Sequence, residues 1–393
     1  MITDRLYYDD AYLTEFDARV AELRPDGWVA LDRSAFYPTS GGQPYDTGVL
    51  EWEDQTLAVT DVEVRDNVVW HRVDGPLTVG QRVHGRIDWA RRFEHMQQHA
   101  ADHMLAGAAW ELYGGVTIGL HLGREDSTID MDLPGGRTHL TQAEIDTLEA
   151  LVNARVQADD PIRCWFPEPA ELESLPLRKR PTVSEHVRVV AMGDYEMVAC
   201  GGTHPRTTGQ IGPVKIISST PARGKMRLCF VAGMRAVRYI QRAVRCAVEV
   251  SALVSADFDT AADALRRERE AAQQLRKEQN QRLTLAALEH LRAHRQGSLY
   301  CGHIEYADHE ILQHAAVELI RDPGAIVLLS CPRGEGRMLI FARGAEAAPD
   351  MAALLRSSGA RGGGKPDMAQ GSAADEKTLQ IAEKMILMQD IHP

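Results

Sequence analysis

The sequence predicts an α+β multidomain protein: a small N-terminal β-barrel, an α+β domain, a long helical arm and a small C-terminal α/β domain. Three observations carry that reading. Residues 1–87 alternate short apolar runs with Gly and Asn turns. Residues 236–296 contain no proline and are dominated by Ala, Leu, Arg, Glu and Gln. Residues 297–393 alternate helical and strand-like periods. A length of 393 residues suits two to four domains.

In the first block the apolar runs are Trp28–Leu31, Leu57–Val59 and Val68–Val73, and the turns fall at Asp26-Gly27, Ser40-Gly41-Gly42, Asp66-Asn67 and Asp74-Gly75. Short strands with such turns build barrels or sandwiches. In the second block, 88–235, Asp88 caps a helix that Gly114-Gly115 stops. A strand, Ser127–Leu133, follows. Thr141 with Glu144 three residues on is a capping box for the next helix. Strand-like pieces return at Val187–Val190 and Gly212–Ser218. The arm, 236–296, carries a heptad seam (Leu265, Ala272, Gln279, Ala286) interrupted by polar residues, and a break is expected near Ser255–Asp257. The last block reads as helix His309–Ile320, strands Ala325–Leu329 and Met338–Phe341, helix Ala347–Leu355, a glycine-rich loop and helix Ala374–Met388.

Composition excludes several classes. Hydrophobic residues make up 44% and charged residues 25% of the chain, the balance of a globular protein rather than a disordered one. No apolar run is long enough for a membrane helix, and the N-terminus MITDRLYYDD has no signal-peptide core. Six scattered cysteines with no CxxC pair read as reduced thiols, so a cytoplasmic location is expected. The net charge of −12 argues against nucleic acid only as a total. Residues 1–235 hold 24 basic and 35 acidic side chains, whereas the arm holds 11 basic and 8 acidic.

Four motifs carry chemistry. His99-Ala-Ala-Asp-His103 lies inside the helix after Asp88, where positions four apart share a face and both imidazoles can converge on one ion. His95 drifts off that face, and Asp102 points elsewhere. Cys200-Gly-Gly-Thr-His204 places a thiol and an imidazole on a tight glycine loop. Together the two motifs supply three His and one Cys, a donor set suited to tetrahedral zinc, so one Zn2+ per chain is expected. Phe36-Tyr-Pro-Thr-Ser-Gly-Gly-Gln43-Pro offers backbone N–H groups and the Gln43 amide to a small ligand. Gly359-Ala-Arg361-Gly-Gly-Gly-Lys365 offers two cations beside exposed amides, without the order of a P-loop.

In this order, FYPTSGGQP, HAADH, MGDY, CGGTH and TTGQIG resemble the alanyl-tRNA editing proteins of the AlaX family, long form. GARGGGKPDMAQGS resembles the C-terminal domain of alanyl-tRNA synthetase. The resemblance spans nearly the whole chain. It departs at Ser40, where the family often has glycine. It implies a zinc-binding editing domain at 88–235 with zinc on His99, His103, Cys200 and His204, Gln43 in the editing pocket, and Ser34 where relatives place a Thr that meets the hydroxyl of a mischarged serine. The implied activity is hydrolysis of seryl-tRNA, and of glycyl-tRNA, on the alanine tRNA, in trans and without ATP. Expected tRNA contacts are Arg361 and Lys365, Arg178, Lys179 and Arg180, and Arg91 with Arg92. Homodimerisation is expected through the arm or the C-terminal domain. The competing readings are a non-catalytic, zinc-stabilised tRNA-binding protein and a nucleotide phosphoesterase; the latter lacks the necessary Asp cluster.

Overall fold

The structure, a computed structural model, describes residues 2–181 and 186–390. Residues 182–185 of the second block and 391–393 of the last lie outside them. The chain divides into two compact units, Met1–Cys246 and Ala247–Pro393.

Besides a short parallel pair, Asp4–Arg5 with Arg33–Ser34, the first unit opens with six barrel strands: β1 (Glu15–Leu23), β2 (Trp28–Leu31), β3 (Gly48–Trp52), β4 (Gln55–Arg65), β5 (Val68–Val73) and β6 (Arg82–Ile87). They close into an antiparallel barrel in the order β1-β2-β5-β4-β3-β6, with β6 returning to β1. Period-two alternation in β1 sends Phe16, Ala18 and Val20 inward, where they meet Leu31, Leu50, Val62 and Val83. The predicted barrel is present.

Helix α1 (Trp89–Tyr113) follows at once. The Asp88 side chain accepts from the Arg91 N–H, and Gly114 ends the helix in the left-handed conformation, as the sequence predicts. Most of α1 is buried, and its run of small residues (Ala100, Ala101, Ala106, Ala108, Ala109) lets neighbouring elements approach closely. Next come β7 (Val116–Leu122), β8 (Ser127–Asp132), α2 (Gln142–Gln157), β9 (Ile162–Trp165), β10 (Val189–Met192), β11 (Glu196–Ala199), β12 (Val214–Ala222) and β13 (Lys225–Ala232). Thr141 and Glu144 form the predicted capping box on α2. The strands make a four-stranded sheet, β12-β13-β8-β7, and a three-stranded one, β9-β10-β11. Their apolar faces share one core with α1 and α2.

The arm is two helices, α3 (Gly233–Leu253) and α4 (Ala261–Ala293), and the break falls where it was expected, with Ser255 at positive φ. In the second unit, β14 (Leu299–His303), α5 (His309–Leu319), β15 (Ile326–Arg333), β16 (Gly336–Arg343), α6 (Met351–Ser357), β17 (Arg361–Gly364), β18 (Met368–Ala373) and α7 (Glu376–Leu387) follow α4. The sheet order is β14-β15-β16-β18-β17, with β14 and β15 parallel. Residues of α4 and α5 pack in one core with it, and residues of α6 and α7 in another. The glycine-rich segment is not a loop. It forms edge strand β17 and its turn into β18, because Gly362 and Gly364 lie flush against the neighbouring backbone: a Cβ on Gly362 would come 2.1 Å from the Gln370 carbonyl oxygen. Among the described residues, no helix is long and apolar enough to cross a membrane.

Two buried polar groups fix α1 and the barrel. Arg92 is fully buried: its Nε donates to Asp46 Oδ2 at 2.9 Å, and its terminal nitrogens donate to the carbonyls of Ala11 and Ala35. It cannot contact tRNA phosphate as the sequence suggested, because its donors are spent inside the protein. Removing Asp46 leaves that guanidinium unpaired in the interior, so Asp46→Ala should cost about 3–5 kcal/mol of unfolding free energy by urea titration. His71 is also fully buried, and burial pushes its pKa down from 6.5 to about 4. The native state therefore binds fewer protons than the unfolded chain between those values, and stability falls as pH drops from 6.5 toward 4. His71→Gln should flatten the Tm-versus-pH curve over that window.

Candidate metal centre

His99 and His103 sit one turn apart on α1 with rings stacked at 5.0 Å. Cys200 and His204 lie on the loop after β11. Cys200 Sγ is 3.4 Å from His99 Nε2 and 3.8 Å from His204 Nε2, and one donor atom from each of the four residues lies within 4.8 Å of the others. The four predicted ligands are thus brought together, over a sequence separation of 101 residues between His99 and Cys200. Gly202 makes the approach feasible: a Cβ there would stand 2.1 Å from His99 Cε1.

Electrostatics suit a cation. Burial alone would raise the Cys200 thiol, but His99, His103 and His204 hold it well below the usual thiol range. Burial would lower His103, yet Cys200, Glu196 and Asp102 push it up to about 10. Burial holds His204 down near 3, so it stays neutral. His103 Nε2 is buried without a hydrogen-bond partner. A thiol poised to ionise, three imidazoles and an orphaned ring nitrogen match the donor chemistry of zinc.

Each imidazole on α1 has a partner behind it. Gln43 is fully buried, and its Oε1 accepts from His99 Nδ1 at 2.8 Å and from the Thr203 N–H at 3.1 Å, while its Nε2 donates to Thr203 Oγ1 at 2.8 Å. Nδ1–H is therefore the donor, and His99 Nε2 is free to ligate a metal ion. This corrects the expectation that Gln43 offers its amide to a ligand: its polar atoms are engaged, and it positions His99 and the cysteine loop. Glu196 Oε1 stands 3.8 Å from His103 Nδ1 and is gripped by Arg178 at 2.9–3.0 Å. Arg178 is thus committed to Glu196 rather than to phosphate. Arg188, buried on β10's approach, donates to the carbonyls of Cys200 and Gly202. The sequence reading missed Arg188, Glu196 and Thr203. The signal for the first two was a charged residue inside an apolar strand, in Val187–Val190 and Glu196–Ala199. Asp102, set aside on spacing, is buried beside the cluster; burial pushes its carboxyl up to about 6 against the pull of His103 and His99.

The remaining candidates separate. Ser34 is fully buried near the barrel; it hydrogen-bonds His71 Nε2 at 2.7 Å and accepts from the Phe36 N–H. His71 Nδ1 donates to the Val29 carbonyl, so the Ser34 proton goes to His71. Among the described residues Ser34 has no hydrogen bond to the ligand cluster. Lys179 and Arg180 are exposed and line a cleft of about 420 Å3 together with Tyr8, Phe166, Arg188 and the ligand Cys200. Arg91 is half-buried and bonds the Tyr45 carbonyl. Arg361 and Lys365 are exposed on the hairpin of the second unit.

Residues 9–91 match the family of class II (A) tRNA synthetases, and residues 187–228 match the threonyl and alanyl tRNA synthetase second additional domain. The alanine–tRNA ligase of Pyrobaculum neutrophilum is 33% identical over 98% of this chain and 44% of its own length. That of Pyrococcus furiosus is 32% identical over 98% and 43%, and that of Thermococcus kodakarensis 37% over 62% and 27%. A solved structure, the C-Ala domain of Aquifex aeolicus alanyl-tRNA synthetase, aligns with 23% of this chain and 90% of its own, at 22% identity and a TM-score of 0.22. The chain spans less than half the length of the curated relatives it matches. The two family matches and the relatives place the chain among proteins related to the tRNA synthetases. Within that class it is an AlaX-like protein related to alanyl-tRNA synthetase.

Because Gln43 fixes the His99 tautomer, Gln43→Ala should weaken zinc binding about 10- to 100-fold in competition with a chromophoric chelator, while Gln43→Glu, which keeps an acceptor oxygen, retains most of it.

Proposed function

We propose that this protein is a zinc-dependent aminoacyl-tRNA hydrolase that removes serine, and also glycine, from the alanine tRNA in trans. The observation that carries the reading is the position of Cys200: it belongs both to the buried ligand set and to the wall of a cleft of about 420 Å3, so a small ester entering the cleft meets the cluster. Arg188, Lys179 and Arg180 supply cationic and hydrogen-bonding groups along that wall, and the half-exposed Phe166 ring meets Tyr8 edge to face, a surface on which a terminal base can stack. Water adds OH to the acyl carbon and a proton to the ribose oxygen, releasing the amino acid and the free tRNA end. A bound zinc ion would supply positive charge at the reacting ester. Gln43, Glu196 and Arg188 hold the ligands and their loop in place.

Selectivity follows from hydrogen-bond bookkeeping. Ser34 gives its proton to His71 and accepts from the Phe36 N–H, so one lone pair of its oxygen remains for the hydroxyl of a serine ester that reaches beyond the cleft wall, which Ser34 itself does not line. Alanine has no hydroxyl to make that bond, so the serine ester gains a hydrogen bond that the alanine ester lacks. The same reading includes tRNA contacts by Arg361 and Lys365, action without ATP, a cytoplasmic location and a homodimer through the arm or the second unit.

The test is deacylation of seryl- and alanyl-tRNA by the full chain. The zinc-loaded protein should release serine on the order of 100-fold faster than alanine; chelation or Cys200→Ala should abolish release. Ser34→Val should bring the two rates together and Ser34→Thr preserve the gap. A zinc-loaded protein that frees no serine would falsify the reading.

A further inference from the structure

Helix α3 carries arginines at 235, 238, 242 and 245, steps of three, four and three that place them on one helix face. That face and the first two turns of α1 wall a groove of about 1270 Å3. Its charges are unequally engaged. Glu94 is paired by Arg235 at 3.0 Å and Arg238 at 2.8 Å, and Asp88 is occupied in capping α1. Arg124, Arg242 and Arg245 also line the groove; they are exposed and, among the described residues, make no ion pair. Six arginines against three carboxylates (Asp88, Glu94 and the exposed Glu125) leave this lining with a surplus of positive charge in a chain of net charge −12.

We propose that this groove holds the phosphate backbone of the tRNA acceptor stem, an inference that rests on the tRNA reading above. Along α3, Arg238 and Arg242 are about 6 Å apart and Arg238 and Arg245 about 10 Å, at about 1.5 Å rise per residue. That row fits consecutive phosphates of a strand better than one small anion, and the guanidinium fork matches phosphate oxygens. Trp89 and Phe93, packed against each other and against Tyr12, add aromatic surface to the same lining. The lining also includes His95, one turn of α1 before the metal ligand His99. His95 is almost wholly buried, and its Nδ1 has no hydrogen-bond partner. A strand whose 3′ end reaches the ligand cluster therefore has a cationic path beside the helix that carries two of the ligands.

The experiment measures binding of the zinc-loaded full chain to uncharged alanine tRNA and to a hairpin of its acceptor stem, across a range of salt. Arg242→Ala/Arg245→Ala should weaken both about tenfold or more and reduce the slope of log K against log salt by about 1.5. Arg242→Lys/Arg245→Lys should restore the slope. Zinc content and Tm report whether each variant is folded. Arg72→Ala/Arg82→Ala, exposed on the barrel, should leave binding unchanged. Unaltered affinity and slope in the Ala pair, a loss with full tRNA only, or an equal loss in the barrel control overturns the inference. The two readings fail separately: a wild-type protein that frees no serine but shows the expected binding losses sinks the hydrolase and supports the groove, and one that frees serine with unaltered binding in the Ala pair does the reverse.

Discussion

The amide of Gln43 ties the site together. One side chain reaches the ring of His99 on α1 and both the backbone and the hydroxyl of Thr203 in the cysteine loop. Those segments lie 56 and 160 positions away from it. With the amide buried and both its oxygen and its nitrogen hydrogen-bonded, the geometry has little freedom to drift. The Arg92–Asp46 pair does for the helix what Gln43 does for the ring: it fixes where α1 leaves the barrel, and hence where the histidines stand.

Charge is spent in two ways in this molecule. Some guanidinium groups are structural: Arg92 in the barrel junction, Arg178 on Glu196, Arg188 on the loop carbonyls. Others are left in water. The sequence shows both kinds as the same letter, and clusters such as Arg178–Arg180 contain both: the first grips a buried carboxylate while the next two face a cleft.

Much of the fold was legible because it is written in local chemistry. Asp88, Gly114 and the Thr141–Glu144 box mark helix ends through hydrogen bonds made within a few residues. The ligands were legible because few residue types can do their work. What stayed hidden depends on contacts remote in sequence. The role of Gln43 required knowing that Thr203 would satisfy its amide, and the burial of Arg92 required knowing that Asp46 would meet it. The glycine-rich segment misled for a physical reason: glycine permits both a loose loop and a strand pressed flat against its neighbour, and only the partner β18 decides.

The distance along the chain between the two halves of the ligand set has a kinetic meaning. In a zinc finger the ligands are neighbours in sequence, so the ion can gather them before anything else has formed. Here His99 and Cys200 enclose a loop of 101 residues, and closing it is entropically costly until the sheets and α1 have packed. An ion held by these four side chains would therefore enter a fold already formed, with the polypeptide packed first and the metal bound second.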